Sequence, residues 1–167
     1  MIYKIAEKTV QSALAHYYRT QLGASVLREV KTPVGYIDLI VHEPRRSRLI
    51  EVKEVKSIKH AIGQVVNYAK FRTADIMEIV YFNRNLSDNT QPHAALYGHT
   101  VELAGQLPKT IQLTNITSLI STEALISMEK ARAVVDTTLS LEEPDAVSLY
   151  YNTTEDFTGI DRDSIDW

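Results

Sequence analysis

Two alternating apolar segments joined by a short polar turn constrain the fold of this chain most strongly. Residues 34–42, VGYIDLIVH, and residues 48–55, RLIEVKEV, are rich in β-branched and aliphatic residues, and the polar EPRRS (43–47) lies between them. Such segments predict two strands that pair as a β-hairpin. Side chains alternate across a strand, which places Asp38 on one face of the first strand. The opposite face is expected to carry Ile37, Leu39 and Val41.

The rest of the N-terminal half supplies the other elements of an α/β core. Apolar residues recur with a period of about 3.6 in residues 3–22, and Gly23 follows as a helix-ending glycine. Residues 58–73 also have a helical pattern, whereas 25–31 and 76–83 are typical of strands. The predicted order over residues 1–83 is therefore α-β-β-β-α-β with a mixed sheet.

Beyond residue 83, the sequence predicts a continuation of the same domain and then an acidic tail. Within 84–135, two segments fit short strands, and STEALISMEKARAVV (121–135) has a typical helix start. Residues 136–167 carry one Lys or Arg against nine Asp or Glu. They are poor in large aliphatic residues, so we expect a disordered or loosely docked tail.

Composition narrows the class of protein. The length of 167 residues suits one domain, and the absence of cysteine excludes disulfides and thiolate metal sites. No apolar run of about 18 residues and no signal-like N-terminus occur, so we expect no membrane contact and a cytoplasmic or nucleoid location. Residues 1–135 carry 17 Lys+Arg against 12 Asp+Glu. A mildly basic body of this kind is compatible with a polyanion partner.

Charged residues in the second strand of the hairpin indicate a metal site. If Ile50 and Val52 face the core, Glu51 and Lys53 project from the other face, roughly 7 Å apart. Pairing of the strands would let Asp38 face Glu51. Two carboxylates suit Mg²⁺ or Mn²⁺, and a neighbouring lysine can stabilise a phosphate or orient a water. The alternative is a solvated strand face with a cross-strand pair, with Asp38 as a strand-end cap.

The order and spacing of these residues resemble those of a known family. Three motifs carry the resemblance: Asp38 within Gly-Tyr-Ile-Asp-Leu-Ile, the Glu51-Val-Lys53 triplet, and Gln64-Val-Val-Asn-Tyr68. They are similar to the motifs of the PD-(D/E)XK nuclease superfamily, especially its Holliday-junction resolvase-like and RecB-like branches. The residue before the aspartate is isoleucine, where the family motif has proline. The resemblance covers about half of the chain and implies a restriction-endonuclease-like fold with a C-terminal extension.

The resemblance also implies roles for individual residues. Asp38 and Glu51 would bind Mg²⁺ or Mn²⁺, Lys53 would support attack on a phosphodiester bond, and Glu7 of the first helix is a candidate third metal ligand. The glutamine and tyrosine of the third motif share one helix face and would position the site or a DNA strand. The implied activity is that of a metal-dependent DNA nuclease, expected to be an endonuclease. The alternatives are an inactive nuclease-fold module that binds nucleic acid or a partner protein, and an α/β protein that binds no nucleic acid.

Basic residues near the hairpin and the second helix are candidate DNA contacts. Arg45, Arg46 and Arg48 lie at the hairpin turn, whereas Lys56 and Lys59 lead into the second helix. A charged turn and a solvated helix start are the plainer alternatives. Cutting both strands of a duplex is simplest with two sites, so a homodimer is also expected.

The acidic tail allows three interpretations. It ends DFTGIDRDSIDW, in which acidic residues alternate with large apolar ones. It can act as a solubilising segment, as a docking peptide for a partner protein, or as a shield of the basic body against non-specific DNA.

Overall fold

A computed structural model describes residues 4–103 and 105–141, with side chains described as far as residue 135. These residues form a six-stranded mixed sheet with three α-helices. The elements are α1 (Glu7–Gln21), β1 (Ser25–Thr32), β2 (Gly35–His42), β3 (Ser47–Glu54), α2 (Ile58–Tyr68), β4 (Ile76–Phe82), β5 (Thr100–Val101), β6 (Lys109–Asn115) and α3 (Thr122–Leu141). The predicted α-β-β-β-α-β order is confirmed. Helix α3 continues six residues past the predicted start of the tail, and the predictions for 142–167 lie outside the described residues.

The topology of the sheet brings several strand ends to one edge. The strand order is β1-β2-β3-β4-β6-β5. β1, β2 and β3 pair in antiparallel fashion, whereas β3, β4 and β6 are parallel, with α2 as the connection from β3 to β4. The carboxyl ends of β3, β4 and β6 therefore share one edge of the sheet. The start of β2 lies at the same edge, because β2 runs antiparallel to β3.

Apolar layers cover the central strands on both faces. Helix α1 packs on one face against Ile50 and Val52 of β3, and α2 packs on the other face against Leu49. All three β3 residues are fully buried. Glu51 of the same strand is only 2% exposed. The alternative interpretation of a solvated face therefore does not hold at Glu51.

The β1–β2 pair changes its facing at Asp38. Leu39 and Val41 pack on the α1 side of the sheet, whereas Ile37 packs on the α2 side. The prediction that these three residues share one face is wrong. The cause is local. Glu29, which lies opposite Asp38, has a left-handed φ of 55°. The paired residues on either side of this position are Arg28–Leu39 and Val30–Ile37. An irregularity of this kind rotates both strands and re-aims their side chains.

Helix α3 completes the start of α1. Ala6 precedes α1 and offers no side-chain cap. The carboxylate of Glu129 from α3 accepts instead from the Ala6 amide at 3.3 Å and from the Thr9 hydroxyl. Arg132 holds the other oxygen of Glu129 at 2.5 Å. Helix α3 therefore fixes the helix turn that carries Glu7, because Glu129 pairs with the backbone amide of Ala6 and with the Thr9 side chain.

Within the described ranges, no helix combines the length and the apolar character needed to cross a lipid bilayer. The longest helix there, α3, has 20 residues and is rich in charged side chains.

Two glycines provide a matched test of the fold. Gly35 has φ of 135°, and a Cβ built there lies 3.3 Å from the Tyr68 hydroxyl, whereas a Cβ at Gly63 in α2 meets nothing within 4 Å. We expect Gly35→Ala to lower the free energy of unfolding by about 1–3 kcal/mol. Gly63→Ala should raise it by about 0.5–1 kcal/mol, since alanine favours helix. Urea unfolding measures both, and equal effects at the two positions would contradict the assigned backbone geometry.

Candidate active site

Asp38 and Glu51 meet where β2 and β3 separate. The β2–β3 pairing ends at Leu39–Ile50, and the next two positions in that register are Asp38 and Glu51. Their carboxyl groups lie within hydrogen-bonding distance of each other. Asp38 Oδ2 also accepts from the Val52 amide at 2.8 Å, so a side chain takes the place of the lost ladder partner. The predicted approach of the two carboxyls is confirmed.

The two carboxyls cannot both be charged at low cost. Burial raises the pKa of Glu51, and the neighbouring Asp38 raises it further. Burial also raises the pKa of Asp38, although its hydrogen bonds to Glu51 and to the Val52 amide oppose that effect. We infer that the pair shares one proton, which resides mainly on Glu51 because the Val52 amide stabilises a charge on Asp38.

Lys53 and Glu7 lie within electrostatic reach of this pair. Burial and the charge of Asp38 raise the pKa of Glu7, and Lys53 partly offsets the increase. The Lys53 ammonium also acts to lower the pKa of Asp38 and of Glu51. Strands β2 and β3 and the first turn of α1 therefore bring three carboxyls and one ammonium to the same edge.

The oxygen atoms of this edge suit a hard cation. Glu51 Oε2 is buried and has no hydrogen-bond partner in the described part of the chain. Carboxylate oxygens are the ligands that Mg²⁺ and Mn²⁺ prefer. Among the described residues, no group of three or more His, Asp or Glu side chains converges with metal-binding geometry. The role of Glu7 as a third ligand stays a prediction. Mg²⁺ commonly uses one or two protein carboxylates and completes its shell with water and substrate phosphate, so the pair still fits this ion.

Gln64 and Tyr68 lie beside the carboxyls but differ in their contacts. Tyr68 is 3% exposed, and its hydroxyl donates to the Tyr36 carbonyl at 2.9 Å. Burial, together with the charges of Glu51 and Asp38, raises the pKa of Tyr68 to about 12. Gln64 hydrogen-bonds the same hydroxyl, and its Oε1 is buried without a partner among the described residues. Tyr68 is thus a positioning residue that ties α2 to the start of β2.

The hairpin arginines do not lie beside the carboxyls. The turn is at the far end of β2 and β3, so Arg45 and Arg46 are roughly 20 Å from Asp38 along the strand. Arg48 is engaged inside the protein: it pairs with Glu43 at 2.8 Å and Glu78 at 3.2 Å. Its guanidinium also lies over the Tyr18 ring, 5.9 Å from the centroid. Arg48 therefore stabilises the fold, and the expectation that this group contacts DNA near the site is not supported by its position.

The basic residues after β3 lie at the same edge of the sheet as the carboxyl pair. Lys56 and Lys59 are exposed just beyond the carboxyl end of β3. Glu54 pairs with Lys56 at 3.9 Å and with Arg84 at 3.3 Å. Arg84 was missed from the sequence, although its position two residues after β4 is a usable signal, because parallel strands end at a common edge.

The site combines a hydrogen-bonded carboxyl pair, a lysine beside it, and basic residues around the same edge of the sheet. No family model, curated protein or solved structure matches this chain. The chemistry available to the site therefore follows from its own residues.

The shared proton has a consequence for stability. Above its ordinary pKa of 4.5, Glu51 ionises in the unfolded chain but keeps its proton in the fold, so the fold loses stability as pH rises. In Glu51→Gln, the amide donates to Asp38 as the protonated acid does, without this pH dependence. We expect the variant, in EDTA, to match the wild type near pH 4 and to exceed its unfolding free energy by about 1–3 kcal/mol at pH 8.

Denaturant unfolding between pH 4 and pH 8 measures this difference. Glu102→Gln is the control, because Glu102 is exposed on a loop, and its effect should stay within about 0.5 kcal/mol at both pH values. Parallel curves for wild type and Glu51→Gln over this range would show that Glu51 is ionised in the fold.

Proposed function

We propose that this protein is a metal-dependent nuclease that hydrolyses phosphodiester bonds in DNA, with the fold and chemistry of the PD-(D/E)XK class and endonuclease activity. The single observation that carries the proposal is the meeting of Asp38 and Glu51 at the separation of β2 and β3, beside Lys53. Two buried carboxyls at a sheet edge cost stability. Their placement there is most simply understood as part of a functional site.

The carboxyl pair would hold one Mg²⁺ or Mn²⁺. When bound, such an ion polarises a phosphate and lowers the pKa of a coordinated water. Both carboxyls must be ionised to bind it, so the proton on Glu51 has to leave. The Val52 amide already supports the charge on Asp38 through its 2.8 Å hydrogen bond.

Lys53 would stabilise charge that develops on the phosphate or orient the attacking water. Its partly exposed side chain lies on the strand that carries Glu51, two residues further on. An ammonium group held in a partly buried site stabilises an oxyanion more strongly than it does in bulk water. Glu7 would help to position Lys53 or a water, and Tyr68 would keep the start of β2 in place.

The basic residues at the same edge would bind the DNA backbone. Lys56 and Lys59 are exposed there, and Arg84 lies nearby with its side chain 61% exposed. Exposed cations attract phosphates in a salt-dependent manner. The proposal also includes a homodimer that presents two such edges to a duplex, and a protein partner for the acidic tail.

A second candidate function is binding without cleavage. It is favoured by one observation: in the described residues, no third His, Asp or Glu side chain completes a metal-binding group. A nuclease-fold module of this kind would bind nucleic acid or a partner protein through the same basic edge.

Cleavage assays distinguish the two functions. We expect purified protein to cut plasmid or branched DNA with Mg²⁺ or Mn²⁺ and to be inactive in EDTA. Lys53→Ala and Glu51→Gln should each lower the rate by on the order of 10²-fold or more, since each removes a group used in the transition state. Arg45→Ala is the matched surface control and should cleave DNA at the wild-type rate, because Arg45 lies at the far end of the hairpin.

Two results would contradict the nuclease proposal. Cleavage that survives both Lys53→Ala and Glu51→Gln would place the activity elsewhere. Salt-dependent DNA binding with no cleavage in either metal would establish the second candidate instead.

A further inference from the structure

The paired ends of β1 and β2 extend beyond β3 as a two-stranded arm. Strands β2 and β3 are paired only as far as Leu39–Ile50, whereas β1 and β2 stay paired as far as Thr32–Gly35. We call residues 30–37 the β1–β2 arm. Because the arm leaves the sheet at Asp38, it lies next to the carboxyl pair.

One face of the arm is buried and the other is exposed. Val30 and Ile37 pack into the core on the α2 side. Lys31 and Tyr36, the next residues on the two strands, point to the opposite face and are both exposed. They are direct cross-strand partners, so their Cβ atoms are about 5 Å apart.

Tyr36 is a large aromatic residue that the core does not use. It is 51% exposed, and Val34 beside it at the turn is 50% exposed. Exposed apolar groups of this size on a projecting element commonly mark a contact surface. An amine directly opposite the ring favours an anionic, aromatic partner over a purely apolar one, and within the described part of the chain no ion pair of Lys31 is found.

The arm holds Tyr36 at a fixed distance from the carboxyls. Tyr36 and Asp38 are two positions apart on β2, which corresponds to about 7 Å between their Cα atoms. The Tyr68 hydroxyl bonds the Tyr36 carbonyl at 2.9 Å, so α2 anchors the backbone of this position. A base stacked on Tyr36 would therefore lie at the same end of the sheet as the carboxyl pair.

We propose that Lys31 and Tyr36 bind an unpaired nucleotide and that the substrate class of this site is single-stranded DNA or an unpaired segment of branched DNA. The ring stacks on the face of a base, and the ammonium contacts the adjoining phosphate. Bases inside a duplex are stacked on each other and cannot offer a free face to Tyr36. This inference rests on the proposed nuclease function, because it assigns the substrate of the same site.

Binding without metal tests the inference separately from catalysis. Fluorescence anisotropy in EDTA would compare a labelled 20-nucleotide oligo-dT with a 20-base-pair duplex, using the full chain. We expect the wild type to prefer the single strand. Tyr36→Leu should weaken single-strand binding on the order of 10-fold, because it removes one stacking contact, and should leave duplex binding unchanged, whereas Tyr36→Trp should preserve both affinities.

Lys31 and a remote residue complete the test. Lys31→Ala should reduce the slope of log K against log salt by about 0.7 for the single strand, as expected for one lost phosphate contact. Leu107→Ala is the control: Leu107 is 86% exposed but precedes β6 at the opposite edge of the sheet, so its loss should change nothing. Melting temperatures within about 3 °C of wild type would exclude misfolding of these surface variants.

Equal affinity of the wild type for single strand and duplex, or an unchanged affinity in Tyr36→Leu, would overturn the inference. The nuclease proposal fails on a different result. If the Tyr36-dependent preference is found but no metal yields cleavage, the arm still binds unpaired DNA and the chain is a binding module. If cleavage is found without any effect of Tyr36, only the assignment of the arm is wrong.

Discussion

A hydrogen bond between two buried carboxyls is the interaction on which the site depends. Asp38 and Glu51 occupy the first positions beyond the end of the β2–β3 pairing. The Val52 amide, which would otherwise continue the ladder, donates to the Asp38 side chain instead. The separation of the strands therefore creates both the space and the polar partners that the carboxyls need. Burial raises the pKa of both carboxyls, and in the proposed function the loss of their shared proton would free the oxygens for a cation.

Several distant residues stabilise this arrangement. Tyr68 links α2 to the arm through the Tyr36 carbonyl, and glycine at position 35 leaves room for its hydroxyl. Glu129 of α3 accepts from the Ala6 amide just before α1 and so holds the turn that carries Glu7. Apolar layers on both faces of β3 offset the cost of burying Glu51. Polar groups that reduce stability at one point of an otherwise apolar strand are typical of functional sites.

The elements were predictable because their local signals agree with the fold. Alternating apolar residues in 34–42 and 48–55 gave the hairpin, and the Glu-x-Lys triplet with Asp38 gave the carboxyl pair. Helix ends were less accurate: the helix predicted to reach residue 73 ends at Tyr68, since residues 69–72 form turn hydrogen bonds such as Arg72 N to the Tyr68 carbonyl. Ends of helices fray into turns that periodicity does not resolve.

The errors arose where tertiary contacts override local patterns. Strict alternation gave the wrong side for Ile37, because a left-handed Glu29 on the neighbouring strand rotates the pair. Arg48 has the same local sequence context as Arg45 and Arg46, but Glu78 of a strand 30 residues away binds it internally. The cap that Glu129 provides for Ala6 spans 123 residues, and no local signal marks such a contact.

The number of protons released when a metal ion binds directly tests whether the carboxyl pair holds a shared proton and binds the ion. Calorimetric titration of Mn²⁺ into the protein near pH 7, in buffers with different ionisation enthalpies, gives the number of protons released for each bound ion. We expect one ion to bind per chain and about one proton to be released, since the carboxyl pair must lose its shared proton to bind the cation. Glu51→Gln should abolish that release and weaken binding. Tight Mn²⁺ binding by the wild type without proton release, or no binding at all, would show that Asp38 and Glu51 do not form a proton-sharing metal site.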